Sequence, residues 1–302
     1  MLVIFLKRLL IEERGESALA NIAVVTDSTS DIGVELAKEF DITVIPLSVV
    51  HRGVVYKDGV DLTPSEFYPI LEEAGEELPT SSQPSPQEFW DIYKPLLDSG
   101  KEILSFHISK GLSSTVDVAR MVASELAPER IHVVDTQSIS FGIAGQAIEA
   151  ARLAMEGFNV SDILERVSRL KDQAEVLFSL DTLYYLERGG RIGKVSSVVG
   201  TLLKIKPIVR VEEGIYVPLA KVRSMKQAIG GMVEFLEGKF RRRAVSIAVG
   251  HGQGFEYAQS LLKLALEKLN VKGAPSLFEV GPVIGVHTGP GTVGIYARPV
   301  EY

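Results

Sequence analysis

Five turns of this sequence gather hydroxyls, glycines and single titratable groups beside strand ends or helix starts, where binding residues concentrate in α/β proteins. Thr26-Asp27-Ser28-Thr29-Ser30 offers a carboxylate that either caps a helix or orients another polar group. Thr80-Ser81-Ser82-Gln83-Pro84-Ser85-Pro86 places hydroxyls ahead of a helix start, and hydroxyls donate to an anionic oxygen without carrying charge. Ser109-Lys110-Gly111-Leu112-Ser113-Ser114-Thr115 lies between a strand and a helix, where free N–H groups and the helix dipole favour a carboxylate or phosphate. Its spacing is not G-x-x-x-x-G-K-[ST], so it does not indicate an ATP site. In Arg188-Gly189-Gly190-Arg191 the glycine pair ends a helix and aims the planar fork of Arg191 outside the helical face. His287-Thr288-Gly289-Pro290-Gly291 follows an apolar run with a histidine able to donate or accept near neutral pH.

Three classes of function fit such loops. One is recognition of an anion by hydroxyls, Arg191 and His287. The second is an enzyme, a small-molecule kinase or hydrolase using Asp27, Ser113 and His287 as acid, nucleophile and base. G-x-S-x-G, Walker and H-E-x-x-H motifs are missing, although triads are defined by geometry rather than by spacing. The third is an interaction protein whose glycine loops are only turns.

The elements that must position these loops alternate. Strands at 22–26, 43–50, 102–108 and 131–134 are separated by helical patterns such as Ile32, Leu36 and Phe40, and Val118, Val122 and Leu126. Thr63-x-x-Glu66 with Pro64, and Ser85-x-x-Glu88 with Pro86, read as capping boxes that open two of the helices. Parallel strands need crossovers, so this half is an α/β domain with a largely parallel sheet and flanking helices. The second half changes character, with helical patterns at 163–170 and 183–188 and a hairpin of 207–211 and 215–219 about Glu213-Gly214. A helix capped by Ser224 follows, then strand 245–249, a helix to Leu269 and strands at 277–280, 283–287 and 292–297. This describes a mixed sheet with helices, and places the boundary between two α/β domains in 158–171, giving domains 21–165 and 166–302 after an extension at 1–20.

The 302 residues are 46% apolar and 24% charged, which suits a globular chain of about two domains. A net charge of −7 gives no global positive field to attract nucleic acid or anionic lipid. Absence of cysteine excludes disulfides, thiolate zinc sites and a cysteine nucleophile, and suits a reducing, cytoplasmic setting. The stretch MLVIFLKRLLI is too short to span a bilayer and has no basic region ahead of its apolar part, so neither stable membrane insertion nor a secretory signal is expected. A disordered or surface-docked extension is the expectation there.

Taken in order, Val25-Thr26-Asp27-Ser28-Thr29, Ser81-Ser82-Gln83-Pro84-Ser85, the 108–115 loop, Val134-Asp135-Thr136, Gly189-Gly190-Arg191, the 203–208 segment, Lys221-Val222-Arg223 and the 287–291 turn resemble the DegV family. These bacterial fatty-acid-binding proteins include the lipid-carrying subunit of fatty acid kinase. The family usually has Thr where Ser81 stands and Gly where Ser114 stands. The resemblance implies a long-chain fatty acid lying between two α/β domains, its carboxylate held by Ser81, Ser113, Arg191 and His287. It implies a carrier without cofactor, metal or catalysis of its own, presenting the carboxylate to a separate ATP-dependent kinase subunit that makes an acyl phosphate. Arg223 is the implied docking residue for that subunit.

Overall fold

The computed structural model describes residues 21–198 and 205–302, so the 1–20 extension and part of the 203–208 segment lie outside the described residues. The first half contributes strands β1 (Ile22–Asp27), β2 (Ile42–Ile45), β3 (Ser48–His51), β4 (Val54–Lys57), β5 (Thr80–Ser82), β6 (Glu102–His107) and β7 (Ile131–Asp135). Four of them form a parallel sheet in the order β2-β1-β6-β7. Helices cover both of its faces, so its strands read as continuous apolar runs whose alternate residues serve two cores. Val24 and Leu104 pack on one side with helix Phe141–Met155. Val25 and Ile103 pack on the other with helices Pro86–Asp98 and Thr115–Leu126.

The expected strand 43–50 is two strands, because Pro46 cannot donate to a ladder and separates β2 from β3. β3 joins β4 and β5 in a small antiparallel sheet, which fixes Ser81 opposite Val49. Both capping boxes form: the Glu66 carboxylate accepts from the Thr63 N–H at 2.9 Å, and that of Glu88 from the Ser85 N–H at 2.8 Å.

The second half supplies β8 (Glu175–Ser179), β9 (Lys206–Glu212), β10 (Ile215–Val222), β11 (Ala244–Gly252), β12 (Asn270–Val271), β13 (Ser276–Glu279) and β14 (Thr292–Pro299). Their mixed sheet runs β10-β9-β8-β14-β11-β12, with β13 also on β11. The β9–β10 hairpin turns on Glu213 and Gly214 at φ 50° and 78°, the paired left-handed residues of a tight hairpin turn. Two α/β domains result, the first on the parallel sheet and the second on the mixed one.

One expected element is overturned. Residues 283–287 are not a strand but lie in helix Pro282–Thr288. Proline at the first helical position presets φ and gives up an N–H that no helix start can use. Six of the seven residues are buried, so the β-branched run is apolar on every side and its periodicity says nothing. Helix Phe141–Met155 lacks an apolar stripe for the same reason, being buried from Phe141 to Leu153 around most of its circumference.

The N-terminus of helix Pro282–Thr288 is held by acids of the first domain. Asp31 accepts the Gly281 N–H at 3.0 Å and the Ser140 hydroxyl at 2.5 Å, while Asp58 is bonded by Ser28 and the Val283 N–H. Burial pushes Asp31 up to about 7 and Asp58 up to about 6, from an ordinary 3.8. A carboxyl whose folded pKa is raised gives stability that is complete below pH about 3.8 and lost as pH rises through about 7. The melting temperature is therefore expected to fall between pH about 4 and about 7 and level off above, and Asp31→Asn, which keeps an acceptor for Gly281, should flatten that fall. Equal slopes for wild type and variant in differential scanning calorimetry would exclude titration of Asp31 in this window.

Candidate functional site

Seven separate segments meet at the domain junction around a cavity of about 40 Å³. Ser81 on β5 and Ser113 in the loop before helix Thr115–Leu126 come from the first domain. Arg191 and His287 come from the second, and all four line this one cavity together with Gln83 and Tyr216.

His287 lies in the last turn of its helix with Nε2 2.7 Å from Ser81 Oγ, while its Nδ1 is buried without a partner. Desolvation, helped by the Arg191 charge, lowers the imidazole to about 4, so it is neutral at physiological pH. An orphaned acceptor is tolerated more often than an orphaned N–H, which assigns the proton to Nε2. Nε2–H then donates to Ser81 Oγ and leaves the Ser81 proton free to meet an anion. Gly189 allows this approach: any Cβ there would collide with His287 Nδ1, and Gly190 at φ 69° makes the turn that follows.

Arg191 spends two donors on backbone carbonyls, Nε to Leu112 at 3.3 Å and a terminal nitrogen to Gly189 at 2.7 Å. No carboxylate pairs with it among the described residues, and its remaining N–H groups form a preset anion fork. Ser113 Oγ lies 2.9 Å from Thr115 Oγ1 and accepts the Thr115 N–H at 3.3 Å, which pins it at the helix start. Ser109, in the same loop, does not face an anion: its hydroxyl donates to the Gly214 carbonyl at 2.7 Å and ties the loop to the β9–β10 turn.

The polar cavity shares two of its lining residues with another. Ile139 and Ile284 line it and also a second, almost wholly apolar cavity of about 50 Å³, walled by Phe141, Phe178, Ala248, Phe278 and Tyr296 among others. The two isoleucines thus stand between the polar cavity and an apolar one that lies between the mixed sheet and helices Phe141–Met155 and Pro282–Thr288. None of these wall residues carries a sequence signal, since each is an ordinary core type; in the polar cavity, Gln83 and Leu112 stood in loops already singled out.

Asp27 is elsewhere. Its carboxylate accepts from His107 Nδ1 at 2.9 Å and from the Ile108 N–H at 3.1 Å, and it also bonds Thr29. His107 Nε2 reaches Ser105 Oγ at 2.7 Å, and Tyr93 donates to that same serine at 2.7 Å. Asp27, His107, Ser105 and Tyr93 are all fully buried, so this Asp-His-Ser series braces the 26–30 and 108–115 loops without meeting solvent. No hydrogen bond joins Asp27, Ser113 and His287, and the constellation required for the enzymatic reading is not assembled. Arg223 is exposed at the end of β10, its N–H bonded to Gln227 Oε1 at 2.9 Å, well outside the cavity lining. No group of three metal-ligating side chains and no helix long and apolar enough to cross a membrane occurs among the described residues.

Fold and site define a two-domain α/β protein with a cationic, hydroxyl-lined cavity at the domain junction and an apolar cavity beside it. The chain belongs to the DegV family, whose model, described as an uncharacterised protein of that family, matches residues 21–300. It is 37% identical over 287 residues to a DegV domain-containing protein of Deinococcus radiodurans, covering 93% of this chain and 99% of that one. A DegV family protein of Thermus thermophilus, solved in a study of its fatty acid binding, aligns at TM-score 0.88 and 34% identity over 93% of this chain and 100% of its own. DegV of Bacillus subtilis, described as a fatty acid binding protein, aligns at TM-score 0.83 and 32% identity over 93% and 99%.

Proposed function

We propose that this chain binds a long-chain fatty acid between its two domains, divided near residue 165, and presents the carboxylate to a separate kinase subunit for acyl phosphate formation. The carrying observation is the convergence of Ser81, Ser113, Arg191 and His287 on one cavity that shares Ile139 and Ile284 with an apolar one. Burial of roughly 14 methylenes at ~0.8 kcal/mol each offers on the order of 11 kcal/mol before ordering costs, against about 1.5 to 3 for each charge-assisted head-group bond. Affinity thus resides mainly in the tail, while the polar end sets orientation and offsets removal of a carboxylate from water. Mass spectrometry of the purified, denatured protein should find co-purifying long-chain fatty acid. Turnover of ATP or an ester by the isolated chain would instead support an enzyme.

Ser81 and Ser113 act as donors in this reading, so Ser81→Ala and Ser113→Ala should each weaken binding several-fold, whereas Ser81→Thr keeps the hydroxyl and should be tolerated. Fluorescent fatty-acid titration checks this, and loss of binding in Ser81→Thr would remove Ser81 from the head-group site. Delivery needs a docking face distinct from the lipid site, and Arg223, which is exposed, is our candidate for it. Arg223→Ala should keep its fatty acid but lose most acyl phosphate formation with the kinase subunit, since truncating a hot-spot arginine costs over ~2 kcal/mol. Normal turnover at subsaturating carrier would locate docking elsewhere.

A further inference from the structure

A cleft of about 800 Å³ lies apart from both cavities described above, bounded by residues 28–46 and 58–64 of the first domain and 278–282 of the second. Ile32, Val34, Val44, Val60 and Phe278 make much of its lining apolar, and Val34 and Val60 are 61% and 70% exposed. Four carboxyl side chains also line it, Asp31, Asp41, Asp58 and Glu279, against one basic side chain, Lys38. Asp31 and Asp58 are spent on neighbouring N–H groups and hydroxyls. Asp41 is exposed, Glu279 is half-buried, and neither forms an ion pair among the described residues. An exposed apolar surface flanked by charge of one sign suits a partner that is apolar and oppositely charged.

One stretch of this chain has that character. Nine of residues 1–11 are apolar and the other two are Lys7 and Arg8. They lie outside the described residues and outside the family match, which begins at residue 21. The chain enters the fold close to the cleft. Asn21 is held at the start of the parallel sheet, its carbonyl accepting the Glu102 N–H at 2.6 Å. Three residues on, about 10 Å along the strand, Val24 pairs with Ile42, which lines the cleft. The intervening residues 12–20 span up to ~30 Å, enough to lay 1–11 along it. On so short a tether the effective concentration is on the order of millimolar, which favours this segment over a second copy of the chain.

We propose that residues 1–11 dock intramolecularly in this cleft, with their apolar side chains against Val34, Val44 and Val60 and with Lys7 and Arg8 toward Asp41 and Glu279. Phe278, Glu279 and Pro282 belong to the second domain and the rest of the lining to the first, so the docked segment straps the two domains together.

The chain has no cysteine, so introduced pairs report the contact directly. In the full chain, Leu6→Cys combined with Val34→Cys or with Val60→Cys, oxidised by copper phenanthroline, should close an intrachain disulfide. Met121, 44% exposed on a helix that packs on the opposite face of the same parallel sheet, gives the control pair Leu6→Cys with Met121→Cys. Closure at the cleft should be about tenfold faster than in the control, with the bonded peptides identified by mass spectrometry. Adding Lys7→Glu and Arg8→Glu should slow closure at the cleft about fivefold and leave the control unchanged. Equal rates at the cleft and at Met121, disulfides formed mainly between two copies, or closure indifferent to the charge reversal would overturn the proposal. No step of the assay uses fatty acid, so its failure is distinct from failure of the lipid-binding reading.

Discussion

Arg191→Ala is expected to weaken long-chain fatty-acid binding by about tenfold to 100-fold while leaving thermal unfolding nearly unchanged. The residue is exposed, and its only bonds are to the Leu112 and Gly189 carbonyls, which water can satisfy in its absence. What disappears is a preset fork, and a charge-assisted head-group bond of about 1.5 to 3 kcal/mol converts to that range of affinity. A second consequence separates this mechanism from a mere loss of packing. The Arg191 charge helps to hold His287 down at about 4, so its removal should let the imidazole titrate closer to its ordinary 6.5. Calorimetric titration with palmitate gives the first quantity, and NMR of the histidine ring gives the second. His287→Ala should also weaken binding, with loss of the Ser81 contact; full affinity in both variants would remove the proposed head-group site.

Ala248→Leu should have the larger effect on long chains. Ala248 is buried on β11 and lines the apolar cavity, where three added carbons occupy most of about 50 Å³. If roughly five methylenes are displaced, the loss at ~0.8 kcal/mol each is about 4 kcal/mol, close to a thousandfold. Overpacking lowers stability as well, by about 1 to 3 kcal/mol, so binding is measured well below the melting temperature. Octanoate does not need the deep end and should bind wild type and variant alike. Equal weakening of palmitate and octanoate would place the tail on another path.

Capping boxes at Thr63 and Ser85, the Glu213-Gly214 hairpin and the β-α alternation depend on contacts within a few residues, so the sequence alone determined them. The same holds for the loops that bear Ser113 and Arg191, because glycines and hydroxyls at element ends declare turns whatever surrounds them, whereas Ser81, read as part of a turn, lies on β5 and His287 lies in helix Pro282–Thr288. Tertiary structure decided the rest. Val283 and Ile284 are compatible with strand or helix, and only enclosure on all sides behind Pro282 made them helical. Asp27 could be assigned to Ser113 and His287 on residue type, but its burial beside β6 gave it to His107, eighty positions away in the chain. Nothing local distinguishes Ile139, Phe178, Ala248 or Tyr296 from any other core residue, since an apolar wall is defined by the space it faces and not by its own chemistry. Nothing in the sequence marks Asp31 or Asp58, because the cost of a buried charge arises only from desolvation, which the folded neighbours impose.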